Sequence, residues 1–168
     1  MINRHIFIIG MPGSGKSSLG RRVAANLRMP YIDTDNRIAE IVGCSIPEMF
    51  EHYGEQAFRN AETNLLIQLT REQPSFISTG GGMIMRDNNR AIMRNHGIIV
   101  LIDRPLNDIM SDIKLDRRPM LAQKGIGAVE TMYHERIETY RSAADLVLDN
   151  SHGYHMGVYN LEKMISSL

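Results

Sequence analysis

The residues Gly10-Met-Pro-Gly-Ser-Gly-Lys16-Ser17 fit the spacing G-x-x-x-x-G-K-[ST] without a mismatch. Residues of these types at this spacing suit a polyphosphate. The glycines let backbone N–H groups turn inward, and a following helix adds partial positive charge at its N-terminus. Lys16 can reach the terminal phosphates, and the Ser17 hydroxyl can ligate Mg²⁺. A glycine turn with a solvated lysine would share the composition. The strand-like Ile6–Ile9 before the loop and the helical pattern after it favour the phosphate reading.

Asp33-Thr34-Asp35 is the second chemical site. On extended backbone, two carboxylates one residue apart point the same way. Asp33 could hold Mg²⁺ through its water shell, because Mg²⁺ takes few protein ligands. Asp35 could orient a substrate hydroxyl or accept its proton. One of the two could instead cap the helix that begins near Asn36. Gly80-Gly-Gly82 offers open backbone N–H groups, or simply a tight turn. Arg59 and Glu62 stand three apart on a helix, either as a surface pair or with Glu62 holding the guanidinium against a substrate carboxylate. Arg117-Arg118-Pro119 sits in a stretch of weak periodicity, where an arginine on a closing lid could neutralise a transferring phosphoryl group. Arg136 and Arg141 are five apart on one late helix and do not share a face, so one can point into a cleft while the other faces elsewhere. The six histidines lack metal-ligand spacing, and Cys44, the single cysteine, cannot form an internal disulfide.

Strand-like runs alternate with helical patterns along the chain. Strands are expected at 6–9, 31–33, 76–78, 98–102 and 146–148. Helices are expected at about 17–27, 36–42, from a Ser45–Glu48 capping box, after Glu55, at 87–95, from Pro105, around 129–140 and at 154–168. A loop is expected over 114–127. This order predicts an α/β fold with one parallel sheet covered on both faces. Ligands of such sheets bind beyond the carboxyl ends of the strands. The phosphate loop, the aspartate pair and the triple glycine should therefore gather on one edge.

Composition bounds the partners. The chain has 168 residues, enough for one domain with a full core. Its 19 basic and 19 acidic residues cancel, which argues against a nucleic-acid footprint. No apolar run approaches membrane-spanning length. The N-terminal residues lead straight into a strand without a signal-peptide core, so a cytoplasmic location is expected.

Taken together, these residues resemble the shikimate kinase family. The resemblance rests on G-M-P-G-S-G-K-S, D-T-D at 33–35, G-E-Q-A-F-R at 54–59, S-T-G-G-G at 78–82, R-R-P-M at 117–120 and Y-R at 140–141, in family order over nearly the whole chain. It implies a three-layer P-loop fold with a central five-stranded parallel sheet, like that of nucleoside monophosphate kinases. It implies a lid at about 112–125 and a substrate-binding helical region at about 34–62 within a single domain spanning 1–168. The implied activity is transfer of the ATP γ-phosphoryl group to the 3-hydroxyl of shikimate, by a cytoplasmic monomer using Mg²⁺. Carried over by position, Gly13, Ser14, Gly15, Lys16, Ser17, Ser18 and Arg118 would hold ATP, and Ser17 and Asp33 the metal. Asp35, Arg59, Gly81, Arg136 and Arg141 would bind shikimate, with Lys16, Asp35 and Arg118 as the catalytic set. The chain departs from many members at Ser111, where they carry an arginine against the adenine.

Overall fold

The computed structural model describes residues 2–112 and 125–168, with the side chain of Ile126 left aside. Strands and helices alternate: β1 (His5–Ile9), α1 (Lys16–Asn26), β2 (Tyr31–Asp33), α2 (Thr34–Val42), α3 (Ile46–Leu69), β3 (Phe76–Ser78), a short 3₁₀ turn (Met83–Met85), α4 (Asp87–His96), β4 (Gly97–Asp103), α5 (Leu106–Asp112), α6 (Ile126–Ala143), β5 (Leu146–Asp149) and α7 (Tyr154–Ser166). The five strands form one sheet in the order β2-β3-β1-β4-β5, and every pairing is parallel.

Alternation along the strands divides the core into two halves. Phe7, Ile9, Ile77, Ile99 and Leu101 face one side and pack with side chains of α2 to α6. Ile6, Ile8, Phe76, Val100 and Ile102 face the other and pack with α1 and α7. Successive strand residues point to opposite faces, so a strand covered on both sides reads as an unbroken apolar run. Strand β1, at the centre, is buried along its whole length.

Local signals set the helix ends that matter for the site. The Asp33 side chain caps α2 by accepting from the Asn36 N–H at 3.3 Å. Helix α2 therefore starts at Thr34, two residues before the expected Asn36. This corrects the extended geometry expected for the aspartate pair: Asp33 keeps strand dihedrals, whereas Asp35 lies in the first helical turn. Ser45 and Glu48 form the expected capping box, with the Ser45 N–H donating to Glu48 Oε2 at 2.8 Å. Helix α3 is two helical pieces joined by a kink at Gly54 (φ 79°, ψ 168°): one started by the capping box, and one that runs on to Leu69 as expected after Glu55. Helix α6 begins at Ile126, inside the loop expected over 114–127. The lid expected at about 112–125, with Arg117 and Arg118, lies outside the described residues apart from its two ends; Asp112 closes α5 and Gly125 precedes α6.

Candidate active site

After β1 the chain turns through Gly10, Gly13 and Gly15, all with positive φ. A Cβ on Gly10 would stand 2.7 Å from the Ile102 carbonyl oxygen, so only glycine lets the loop lie this close to β4. The loop is backed from behind. Arg104 donates to the Gly13 carbonyl at 3.0 Å, and Asn150 Nδ2 donates to the Ser14 carbonyl at 2.8 Å. In a trans peptide the N–H points opposite to the carbonyl, so the Gly15 N–H faces away from Asn150. Ser14 is buried, and the Ser18 hydroxyl, in the exposed first turn of α1, donates to the Gly15 carbonyl at 3.1 Å. Lys16 Nζ donates to the Gly10 and Met11 carbonyls at 2.9 and 2.8 Å, which folds the cation across the mouth of the loop.

Strand order brings the next groups in. The Ser17 hydroxyl donates to Asp33 Oδ2 at 2.9 Å and lies 3.4 Å from the Ser78 hydroxyl. A hydroxyl and a carboxylate oxygen beside a phosphate loop are the hard oxygen donors that Mg²⁺ prefers, and so few protein ligands suit an ion that keeps most of its water. Asp33 thus has two jobs, as helix cap and as partner of Ser17.

The facing wall is built by α3, the glycine loop and α6. Thr34 Oγ1 accepts from the Gly80 N–H at 2.9 Å, which ties the start of α2 to the loop after β3. A Cβ on Gly80 would meet the Asp35 carboxylate at 2.5 Å and Glu62 Oε1 at 2.9 Å. The Arg59 guanidinium donates through Nη1 to Glu62 Oε2 at 2.7 Å and through Nη2 to Glu55 at 3.2 Å. Its plane lies above Gly82, and its Cζ stands 5.3 Å from the centre of the Phe58 ring.

Glu62 is fully buried, and its Oε1 has no hydrogen-bond donor among the described residues. Burial pushes the Glu62 carboxyl above the ordinary carboxylate range; Arg59 pulls it back and Asp35 pushes it further up. Burial works against charge on Arg59 too, but Glu62 and Glu55 hold the guanidinium above its ordinary value. The ion pair is therefore kept, and the arginine is aimed by a carboxylate that water does not reach.

These walls enclose a cleft of about 850 Å³. Lys16, Ser17, Asp33, Asp35, Arg59, Gly81 and Arg136 all line it. Arg141 does not. It points outward from α6 with its side chain 48% exposed, and it pairs with Asp103 at 3.2 Å and Glu138 at 3.7 Å. Where the resemblance implies a contact with the acceptor, Arg141 makes these two ion pairs: five residues is about one and a half helical turns, which puts it on the far side of α6 from Arg136. Arg118 lies outside the described residues. Sequence reasoning also missed Arg104, whose contact with the phosphate loop depends on how β4 ends and leaves no local signature. It missed the role of Tyr140, whose buried hydroxyl donates to the Gly81 carbonyl at 2.6 Å.

One cleft thus brings together the glycine-rich loop with Lys16, the arginines Arg59 and Arg136, and the Asp35 carboxylate. A sequence model of shikimate kinase matches residues 12–165 of the chain. A shikimate kinase from Clostridium beijerinckii is 41% identical over 150 residues, covering 89% of this chain and 87% of the relative. One from Aromatoleum aromaticum is 34% identical over 165 residues, covering 96% and 94%. Among solved structures, the Acinetobacter baumannii shikimate kinase in complex with shikimate superposes with a TM-score of 0.89 at 28% identity, covering 98% of this chain and 94% of that one. The Aquifex aeolicus shikimate kinase gives 0.84 at 29% identity, covering 97% and 96%. The five-stranded parallel sheet thus has its counterpart in solved shikimate kinases, and the chain belongs to the shikimate kinase family of ATP-dependent phosphotransferases with an alcohol acceptor.

Proposed function

We propose that this chain moves the γ-phosphoryl group of ATP to the 3-hydroxyl of shikimate, giving shikimate 3-phosphate and ADP. The observation that carries this reading is the meeting, in one cleft, of the Lys16 loop with Asp35, Arg59 and Arg136. Two arginines on separate elements suit a single carboxylate, which accepts paired N–H donors. Asp35, between them and the phosphate loop, suits a ring hydroxyl.

Residues Gly13 to Ser18 hold the phosphates through backbone N–H groups and the Lys16 ammonium, which leaves the Gly10 and Met11 carbonyls to do so. Ser17 and Asp33 would hold Mg²⁺, which would supply positive charge to neutralise the charge developing on the phosphates. Arg59, held flat by Glu62, and Arg136 grip the acid end of the acceptor. The Asp35 carboxylate accepts a hydrogen bond from the attacking hydroxyl and aligns its oxygen. In a loose transfer the proton leaves late, so Asp35 acts mainly by orientation and need not be a strong base. Arg118 is assigned to the transferred phosphate by matching position. The apolar side of the cleft, with Ile46, Phe50 and Met132, excludes water from the transfer. The same reading takes the chain as a single-domain monomer of the cytoplasm.

The test is a coupled assay of ADP release with shikimate, quinate, gluconate and nucleoside monophosphates as competing acceptors. Shikimate-dependent ADP release is expected, and it should be abolished in Asp35→Ala and Lys16→Ala with folding retained. Slow ADP release that ignores every acceptor would identify a nucleotide-hydrolysing module instead.

A further inference from the structure

A buried side chain of α6 meets the proposed acceptor site from behind. Tyr140 is the largest fully buried side chain of the described residues, at 0% exposure. A buried phenol must place its proton on an acceptor. It does so on the Gly81 carbonyl, at 2.6 Å, across 59 residues of sequence. The contact is tight enough that a Cβ on Gly81 would lie 3.4 Å from the phenol oxygen.

Two elements of the acceptor wall meet at this oxygen. Arg136 precedes Tyr140 by one turn on α6, so the two side chains share a face. Burial raises the phenol's pKa, and Arg136 is the charge that acts on it most strongly, pulling it back. On the other side, fixing the Gly81 carbonyl fixes the whole peptide plane between Gly81 and Gly82. Gly82 is the residue over which the Arg59 guanidinium lies. The chain of contact therefore runs from Arg136 through the Tyr140 hydroxyl and the Gly81–Gly82 peptide to Arg59.

We propose that Tyr140 is a positioning residue of this site: its hydroxyl locks the helix carrying Arg136 to the glycine loop beneath Arg59, and so sets the spacing of the two arginines for one acceptor carboxylate. This rests on the reading of the cleft as a shikimate site. Tyr140 is not among the residues that line the cleft, so it acts through its neighbours. The phosphate loop packs on Gly81 through Pro12 but is held by Arg104 and Asn150, so nucleotide binding should sense the change far less than acceptor binding.

The experiment uses the full chain with Tyr140→Phe, which keeps the ring and its packing and removes the hydroxyl. Wild-type turnover of shikimate is measured first; its failure would sink the functional reading and not this one. Given that turnover, Y140F should raise the KM for shikimate about tenfold, the size expected for one well-made hydrogen bond. The KM for ATP and kcat should stay within about twofold. A loss of packing alone would instead lower kcat, or raise both KM values together. Either pattern, or an unchanged KM for shikimate, overturns the proposal. A second arm covers a variant that folds poorly. In an Arg136→Lys background, read at low temperature as protection of the fold by shikimate, Y140F should add less than it does alone. Additive effects there overturn the proposal as well.

Discussion

Gly82→Ala tests the acceptor grip with a single methyl group. The backbone at Gly82 has φ −93° and ψ −12°, so alanine fits without strain. The new Cβ would lie 2.5 Å from Arg59 Cζ and 2.6 Å from Nη2. Carbon contacts are comfortable at about 3.5–4.0 Å, so the guanidinium must retreat by roughly 1 Å. The far end of a long side chain yields cheaply, so the melting temperature should move by only a few degrees, roughly what ~1 kcal/mol produces in a chain of this size. The site yields less cheaply. A retreat of that size stretches the 2.7 Å bond to Glu62 beyond hydrogen-bonding range and turns the arginine off its aim. A charge-assisted bond to the acceptor carboxylate is worth about 1.5–3 kcal/mol. Its loss should lower kcat/KM for shikimate by about 10- to 150-fold. The assay is steady-state ADP release with each substrate varied in turn, beside a thermal melt. Gly127→Ala is the control: it adds the same methyl in α6 where nothing among the described residues lies within 4 Å, and its kinetics should match wild type. Wild-type kcat/KM for shikimate in a well-folded G82A chain would refute the placing of Arg59 on the acceptor.

Four further outcomes are expected. Arg136→Ala should raise the KM for shikimate at least about tenfold, the loss of one charged hydrogen bond. Arg141→Ala should stay within about twofold in every kinetic constant, because exposed pairs such as those with Asp103 and Glu138 contribute about 1 kcal/mol or less. Asp33→Asn should raise the Mg²⁺ concentration for half-maximal rate about tenfold, with the circular dichroism spectrum intact, since the Asn side chain still caps α2. The fourth concerns pH. Burial, with His96 adding to it and Glu72 opposing, holds His5 below the ordinary imidazole value of 6.5, and its Nδ1 accepts from the Ser75 N–H at 3.2 Å. The unfolded chain therefore takes up a proton first. The contribution of neutral His5 is whole above pH 6.5 and is lost as the pH falls from there toward the lowered value in the fold. Urea unfolding at pH 7.5 and 5.5 should show wild type losing more stability than His5→Asn over that interval; equal losses would remove His5 from the acid sensitivity.

Much of this architecture is legible in the residues because it follows from local rules. Periodicity marks all five strands, and the Ser45–Glu48 capping box and the Gly43 helix stop act within a few residues. The phosphate loop is a local constellation too. What escapes is what depends on where a helix begins or which way it rolls. Asp35 sits in a helical turn because Asp33 spends its carboxylate on the Asn36 N–H, a competition between cap and strand that spacing cannot decide. Arg136 and Arg141 are equivalent on paper; only the packing of Ile137 and Tyr140 into the core turns one inward. Arg104 and Tyr140 act on backbone carbonyls 91 and 59 residues away, which no local pattern encodes.

The order β2-β3-β1 means that the strands leading to the phosphate loop and to the aspartates never pair; the three residues of β3 stand between them, and Ser17 meets Asp33 only beyond its end. Any fragment ending before Ser78 thus lacks the spacer that brings Ser17 to Asp33 on the sheet's edge, however well its helices form. Recovery of catalysis on renaturation should therefore lag behind the return of helical signal, and its rate should report the moment when this short wedge is threaded into place.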